Sequence, residues 1–303
     1  MNAVPVLVGY TAAVGFIAPR LLLRAGWPHR APALAVAVWQ ALLISFSIGV
    51  ALTAHNLAMP AEHLEAGLVG LLHSCGLGAG TGERDPHAAD RLAVALPVAL
   101  GLTSVAAFTF HVVRARRART RHRAAVDLVG RRSARLSATV LPYDVPAAYC
   151  LPGRRPRIVV SDAAVRELAP EQLGAVLAHE RGHIAGRHHL ALAAVEAFQS
   201  VFRGLPLARH AREQTALLLE MVADDRALRR YSGDALATAM YAMAAARTPK
   251  GAFAAGGHTV LIRLRRVLGP RATAHPALWV SVAVLAVVVP LLPLLVACPP
   301  GLG

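Results

Sequence analysis

Four stretches of this chain are so long and so apolar that water is the wrong solvent for them. Residues 3–23, 32–54, 92–113 and 277–297 are nearly unbroken runs of apolar side chains, and roughly 20 helical residues cross about 30 Å of hydrocarbon. A backbone in hydrocarbon must satisfy its own N–H and C=O groups, so each run is expected as a helix. The fold class follows before any motif is read: mainly α, an integral membrane protein with about four transmembrane helices. The balance of the whole chain agrees, since 55% of its 303 residues are hydrophobic and the mean hydropathy is +0.48, more than an ordinary soluble domain carries.

The first run contains Pro19 and Arg20, and an N-terminal apolar segment can also be a cleaved signal. No charged residues precede it, which favours a retained span whose Arg20 snorkels to the interface. The formal net charge of +15 comes almost wholly from arginine, Lys250 being the single lysine. That bias points to base composition of the gene, and no direct nucleic-acid binding is expected.

Short cytoplasmic flanks of membrane spans are enriched in positive charge. Arg20, Arg24 and Arg30 lie between the first two runs, and Arg114, Arg116, Arg117, Arg119, Arg121 and Arg123 follow the third. Both places are expected in the cytoplasm. Residues 55–90 carry Glu62, Glu65, Glu83, Asp85 and Asp90 against Arg84, as expected of the outer side, so both termini should lie outside. The arginine run after residue 113 could also touch anionic headgroups, although a topogenic flank explains it. The glycine-rich segment at 75–82 fits neither GxGxxG nor a Walker pattern and reads as an outer loop.

Three parts result: residues 1–123 as a membrane region with three spans, 124–270 as a cytoplasmic domain, and 271–303 as a fourth span with a short outer tail. The middle part is large enough to bury its own core. Residues 149–153 and 157–160 are short, β-favouring and bounded by Pro and Gly, which predicts a hairpin. Ser161 or Asp162 should cap a helix, and Pro170 should open the next at its first turn. That helix runs through His183, with further helices over about 211–229 and 233–246.

The helix opened by Pro170 carries His179-Glu180-Arg181-Gly182-His183, an HExxH motif. Residues i and i+4 share a helical face, so His179 and His183 can hold one Zn²⁺. Glu180, beside the first ligand, is placed to act as general base on a water that the metal activates. Downstream, Glu220 lies between Leu217-Leu218-Leu219 and Met221-Val222, where a carboxylate is costly unless a cation compensates it. Zinc would do so; the competing reading is a surface ion pair. Asp224, one turn on, can accept the other N–H of a ligand histidine, or else pair with Arg226 or Arg229.

His188 and His189 could hold an oxyanion or a second metal, or be a solvated capping pair. Tyr149, Cys150 and Leu151 could form the edge strand to which a peptide substrate adds, or simply part of a core hairpin. Cys75 and Cys298 both fall on the expected outer side, where a disulfide or two free thiols fit equally, whereas Cys150 should stay reduced.

Taken together, Ala147–Gly153, Val176–His183 and Glu220–Asp225 resemble the BlaR/MecR-type membrane metallopeptidases, antirepressors of β-lactam resistance, and their relatives in high-GC actinobacteria. The resemblance spans nearly the whole chain. It implies a zincin-like (gluzincin) α+β domain inserted between the third and fourth spans, one Zn²⁺ held by His179, His183 and Glu220, and Glu180 as base. It also implies that an outside stimulus leads to cleavage of a BlaI/MecI-like cytoplasmic repressor, and sometimes of the protease itself. The antibiotic receptors continue past the fourth span into a penicillin-binding sensor; this chain stops at Gly303, so acylation by a β-lactam is not expected. Two other readings stand beside this one. The first is a housekeeping membrane zinc protease resembling the HtpX and CAAX-processing families. The second is a non-catalytic receptor or scaffold with structural zinc, although such sites usually fill all four positions with Cys and His.

Overall fold

A computed structural model describes residues 3–58, 88–246, 257–270 and 276–297. Helix α1 (Ala3–Ala12) passes through one π turn (Ala13–Ile17) into α2 (Ala18–Arg24), so Pro19 bends the first apolar run without ending it. Arg20 turns back, its guanidinium donating to the Phe16 carbonyl at 2.8 Å. Helix α3 (Pro32–Ala58) is the second run. The third belongs to α4 (Ala88–Val129), one unbroken helix that carries the chain past its arginines to the first strand. The last run is α11 (Pro276–Val288), a 3-10 turn at Val289–Leu291 where Pro290 interrupts, and α12 (Leu292–Ala297). Four of these stretches are long and apolar enough to cross a membrane. Cys75, Cys298 and the glycine-rich segment at 75–82 lie outside the described residues.

Polar side chains lock three of the spans together. Tyr10 and Ser45 hydroxyls meet at 2.7 Å, and both lie within reach of the Val289 carbonyl, at 3.0 and 2.9 Å, so that one donates to the other and the second donates to the carbonyl. That carbonyl also accepts from Leu292 N at the end of its 3-10 turn, and it lacks the partner four residues on because Pro293 has no N–H.

After α4 come β1 (Arg131–Ser133), β2 (Ala138–Leu141), β3 (Ala148–Leu151) and β4 (Arg157–Ser161), arranged β1-β2-β4-β3. The expected hairpin is present as β3 antiparallel to β4, with Cys150 opposite Ile158. Strands β1 and β2 are additions to the sequence reading: Arg131-Arg132-Ser133 has no apolar alternation, and pairing with β2 alone makes it a strand. One sheet face packs on Val126 of α4 through Leu151 and Val159. The other, through Ala148, Ile158 and Val160, packs on the helices that follow.

Ser161 caps α5 (Asp162–Glu167), its hydroxyl accepting from Ala164 N at 3.1 Å. Helix α6 (Pro170–Ala185) opens with Pro170 in its first turn, and the Gln172 side chain accepts from Ala169 N at 3.0 Å. Arg187, at φ 48°, reverses the chain into α7 (His188–Val201). Then follow α8 (Pro206–Ala227), α9 (Gly233–Ala245) and α10 (Gly257–Leu268). Helix α10 is a further addition to the sequence reading, which ended its helices at 233–246: it packs on α9 through Val267 and Leu264.

Helices α6 and α8 cross at Gly182. A Cβ there would stand 3.1 Å from Ala223 Cα and 3.3 Å from its Cβ, so the hydrogen of glycine sets how closely the two helices approach. Gly182→Val should therefore cost about 1–3 kcal/mol by overpacking. Thermal unfolding in detergent would register the loss, together with weakened zinc retention; an unchanged midpoint would mean the crossing is not tight.

Candidate metal centre

The spacing of HExxH on α6 puts His179 and His183 on one face, and α8 brings Glu220 against them. His179 Nε2 and His183 Nε2 are 3.1 Å apart; Glu220 Oε2 is 3.5 Å from the first and Oε1 3.3 Å from the second. Ligands about 2.0–2.1 Å from a tetrahedral zinc stand roughly 3.3 Å from one another, so the three edges fit that ion.

The other ring nitrogens show why a cation belongs here. His179 Nδ1 lies 2.9 Å from Asp224 Oδ1, off the straight line of a hydrogen bond, and His183 Nδ1 lies 2.8 Å from His188 Nδ1. An imidazole that donates through Nδ1 carries a lone pair on Nε2. Two such lone pairs aimed at one point beside a carboxylate repel unless a positive charge stands between them.

Asp224 is fully buried, and Arg263 of α10 closes on it with a two-pronged pair, Nη2 to Oδ1 at 2.7 Å and Nε to Oδ2 at 2.8 Å. The third prong, Nη1, reaches Glu220 Oε2 at 2.7 Å. The competing reading, a pair with Arg226 or Arg229, is not what forms: Arg226 donates to the Gly182 carbonyl at 2.8 Å and pins the crossing. The charges of this cluster shift one another. Burial raises the Glu220 carboxyl, but His179, His183 and Arg263 outweigh it and hold it well below the usual carboxylate range. Asp224 is lowered likewise, with Arg263 and His179 overcoming burial. Burial opposes the charged form of His179, yet Asp224 and Glu220 prevail and raise it to about 9, the same preference for positive charge that a cation at Nε2 would satisfy in place of the proton.

His188 and His189 separate. His188 is buried, its pKa lowered to about 4 by burial and then by neighbouring His183 and Arg226, so it is neutral and able to accept from His183. His189 faces the other way, beside Arg119 of α4.

Glu180 is half-buried on α6, and a sheet edge that has no partner strand among the described residues lies above it. Strand β3 is an outer strand, with β4 on one side. Ser161 N donates to Ala147 O at 2.9 Å, and antiparallel pairs alternate. The backbone groups of Tyr149 and Leu151 therefore turn to β4, while those of Ala148 and Cys150 turn outward. Side chains alternate too. Tyr149 packs beside Val126 and its hydroxyl meets His122 Nε2 at 2.7 Å. The free thiol of Cys150 sits within hydrogen-bonding reach of Glu180; burial, then the Glu180 charge, push it up to about 12.

Residues 112–249 match the family model described as Peptidase family M48. This segment is similar to a metallopeptidase domain. It holds all of the sheet and α5 to α9, with His179, Glu180, His183, Glu220 and Asp224; Arg263 lies beyond it. No curated protein and no solved structure matches the chain. The match reaches the metallopeptidase family and stops short of the antirepressor subfamily. Members of the M48 family are zinc metalloproteases, and the donor set of two imidazoles and one carboxylate fits that ion. His179, His183 and Glu220 would hold it, and when bound it supplies Lewis acidity toward a peptide carbonyl and toward water.

Arg263 is the residue that the sequence reading missed. Its signal was faint: an amphipathic run of Leu261, Ile262, Leu264 and Val267 around Arg263 and Arg266, separated from Glu220 by more than forty positions. Removing the Asp224 carboxylate in Asp224→Asn should weaken zinc about 10–100-fold, measured by chelator competition. Arg263→Met leaves a buried carboxylate unpaired and should destabilise the fold by about 3–5 kcal/mol. Most of that loss should return in the Asp224→Asn/Arg263→Met double variant, and a purely additive result would dissolve the proposed coupling.

Proposed function

We propose that this protein is a membrane-bound zinc endopeptidase that hydrolyses peptide bonds of a cytoplasmic protein, most specifically a BlaI/MecI-like transcriptional repressor, in response to a signal. The observation that carries the peptidase reading is the convergence of His179 Nε2, His183 Nε2 and Glu220 from two helices, with Glu180 beside them beneath an open strand edge. A structural zinc site would have no use for either of the last two features. The repressor as substrate rests on the resemblance of Ala147–Gly153, Val176–His183 and Glu220–Asp225 to the antirepressor peptidases, and self-cleavage is proposed on the same ground.

In this reading an extended substrate adds to β3 as a further antiparallel strand, paired through the outward N–H and C=O groups of Ala148 and Cys150. That pairing fixes the register of the peptide over Glu180. Glu180 takes a proton from the attacking water and passes it to the leaving amine. Its neighbour Cys150, held as a neutral thiol, donates to the Glu180 carboxylate and orients it without adding negative charge. Arg263 keeps Glu220 and Asp224 ionised, hence able to bind the cation and to hold the His179 tautomer.

The membrane is the expected setting, with the peptidase domain cytoplasmic and both termini outside. A second reading, with the same chemistry, is quality control of membrane proteins in the manner of the HtpX and CAAX families. It is favoured by the nearness of the centre to the spans: α8 carries Glu220 on one face and packs Leu207, Ala211 and Leu218 with Leu34, Val38 and Leu42 of α3 on another. The substrate separates the two.

Glu180→Gln should retain zinc and fold while losing about 10²–10⁴-fold in peptide hydrolysis. In cells the same variant should accumulate its substrate uncleaved. A repressor in that role supports the first reading, and a set of damaged membrane proteins the second; full activity in Glu180→Gln would end both.

A further inference from the structure

Helices α7 and α8 form a hairpin whose tip lies among the spans. The Phe46 ring of α3 meets Phe198 at 5.9 Å and Phe202 at 5.2 Å, both edge-on, and Leu205 stands 3.3 Å from where a Gly15 Cβ would be. At 1.5 Å per residue, Phe46 is about 21 Å along α3 from Pro32, and Gly15 about 13 Å along the first span from Arg24. The apolar side of the tip therefore packs against the candidate spans, while Arg203 on its other side is exposed.

On the flank of this hairpin that faces α4, an open cavity of about 670 Å³ is lined by His111 and Arg114 of α4, Glu196 and Gln199 of α7, Arg203 at the tip and Arg212 of α8. Glu196 is engaged by His111, Oε2 to Nδ1 at 3.4 Å. Among the described residues no carboxylate pairs with Arg114, Arg203 or Arg212, and all three are exposed. The cavity stands at the arginine-rich end of the third candidate span, whose apolar stretch is only 6% buried within the protein and so is free to face lipid. Three guanidiniums on one wall, where protein gives way to acyl chains, are costly without an anion. Two or more arginine forks match the oxygens of one phosphate.

We propose that this cavity is a binding site for the phosphate of an anionic phospholipid, with Arg114, Arg203 and Arg212 as its cationic wall and Gln199 as donor to the remainder of the headgroup. It anchors the α7–α8 hairpin, and so the helix that bears Glu220, to the lipid around the third span. The site is independent of the peptidase reading.

The full chain, reconstituted in phosphatidylcholine nanodiscs with and without phosphatidylglycerol, provides the test. Native mass spectrometry should find phosphatidylglycerol retained by the wild type and retained about thirtyfold less by Arg203→Gln/Arg212→Gln. Arg116→Gln/Arg117→Gln, which removes equal charge from α4 outside the cavity, should keep wild-type retention. Arg212→Gln alone serves if the double variant does not fold, and should show an intermediate loss. Equal losses in the cavity and control variants, or no preference for phosphatidylglycerol, would overturn the site. If inorganic phosphate added to phosphatidylcholine nanodiscs raises the unfolding temperature as much as phosphatidylglycerol does, the lipid assignment is overturned in favour of the free anion.

Discussion

The crossing of α6 over α8 is the constraint from which the rest follows. Gly182 brings the two helices so near that the Ala223 Cα is within van der Waals reach of where its side chain would start. Only at that separation can Glu220 Oε1 and Oε2 stand 3.3 and 3.5 Å from the two Nε2 atoms. Arg226 holds the same crossing from the other side by donating to the Gly182 carbonyl. The centre is thus a property of two packed helices, with no loop among its three expected ligands.

Charge is arranged around that crossing in concentric fashion. Two imidazoles and a carboxylate face the cation position. Behind them Asp224 and His188 stand beside the two Nδ1 atoms, one an anion and one a neutral ring, and both favour the tautomers that leave Nε2 without a proton. Behind Asp224 stands Arg263, which removes the cost of burying a carboxylate with no exposed surface. His188 keeps its place through the left-handed turn at Arg187 and the lack of a Gly186 side chain, which would collide with the His188 ring.

The same hairpin that brings Glu220 to the centre also places its other end among the candidate spans, so these and the candidate metal centre share one pair of helices. Gln40 of α3 lies 3.5 Å from the Ala191 carbonyl on α7, and beyond it the Phe46 ring meets those of Phe198 and Phe202 edge-on. A displacement of the hairpin along α3 would be felt by Glu220. This gives the fold a physical route between what touches the spans and what holds the cation.

What the sequence determined by itself is what local periodicity and local chemistry can carry. Apolar runs of about twenty residues fix the spans because hydrocarbon leaves no alternative to a helix. HExxH puts two imidazoles on one face because the helix repeats every 3.6 residues, and Glu220 is marked by a carboxylate amid leucines. The tertiary structure alone decided the partner of Asp224, which the sequence offered to nearby Arg226 or Arg229 and the fold gave to Arg263, thirty-nine residues away. It alone parted His188 from His189, made β1 a strand, and set β3 rather than β2 at the sheet edge over Glu180. These depend on which surfaces meet when helices and strands pack, and pairing across such distances leaves no periodic trace in the chain.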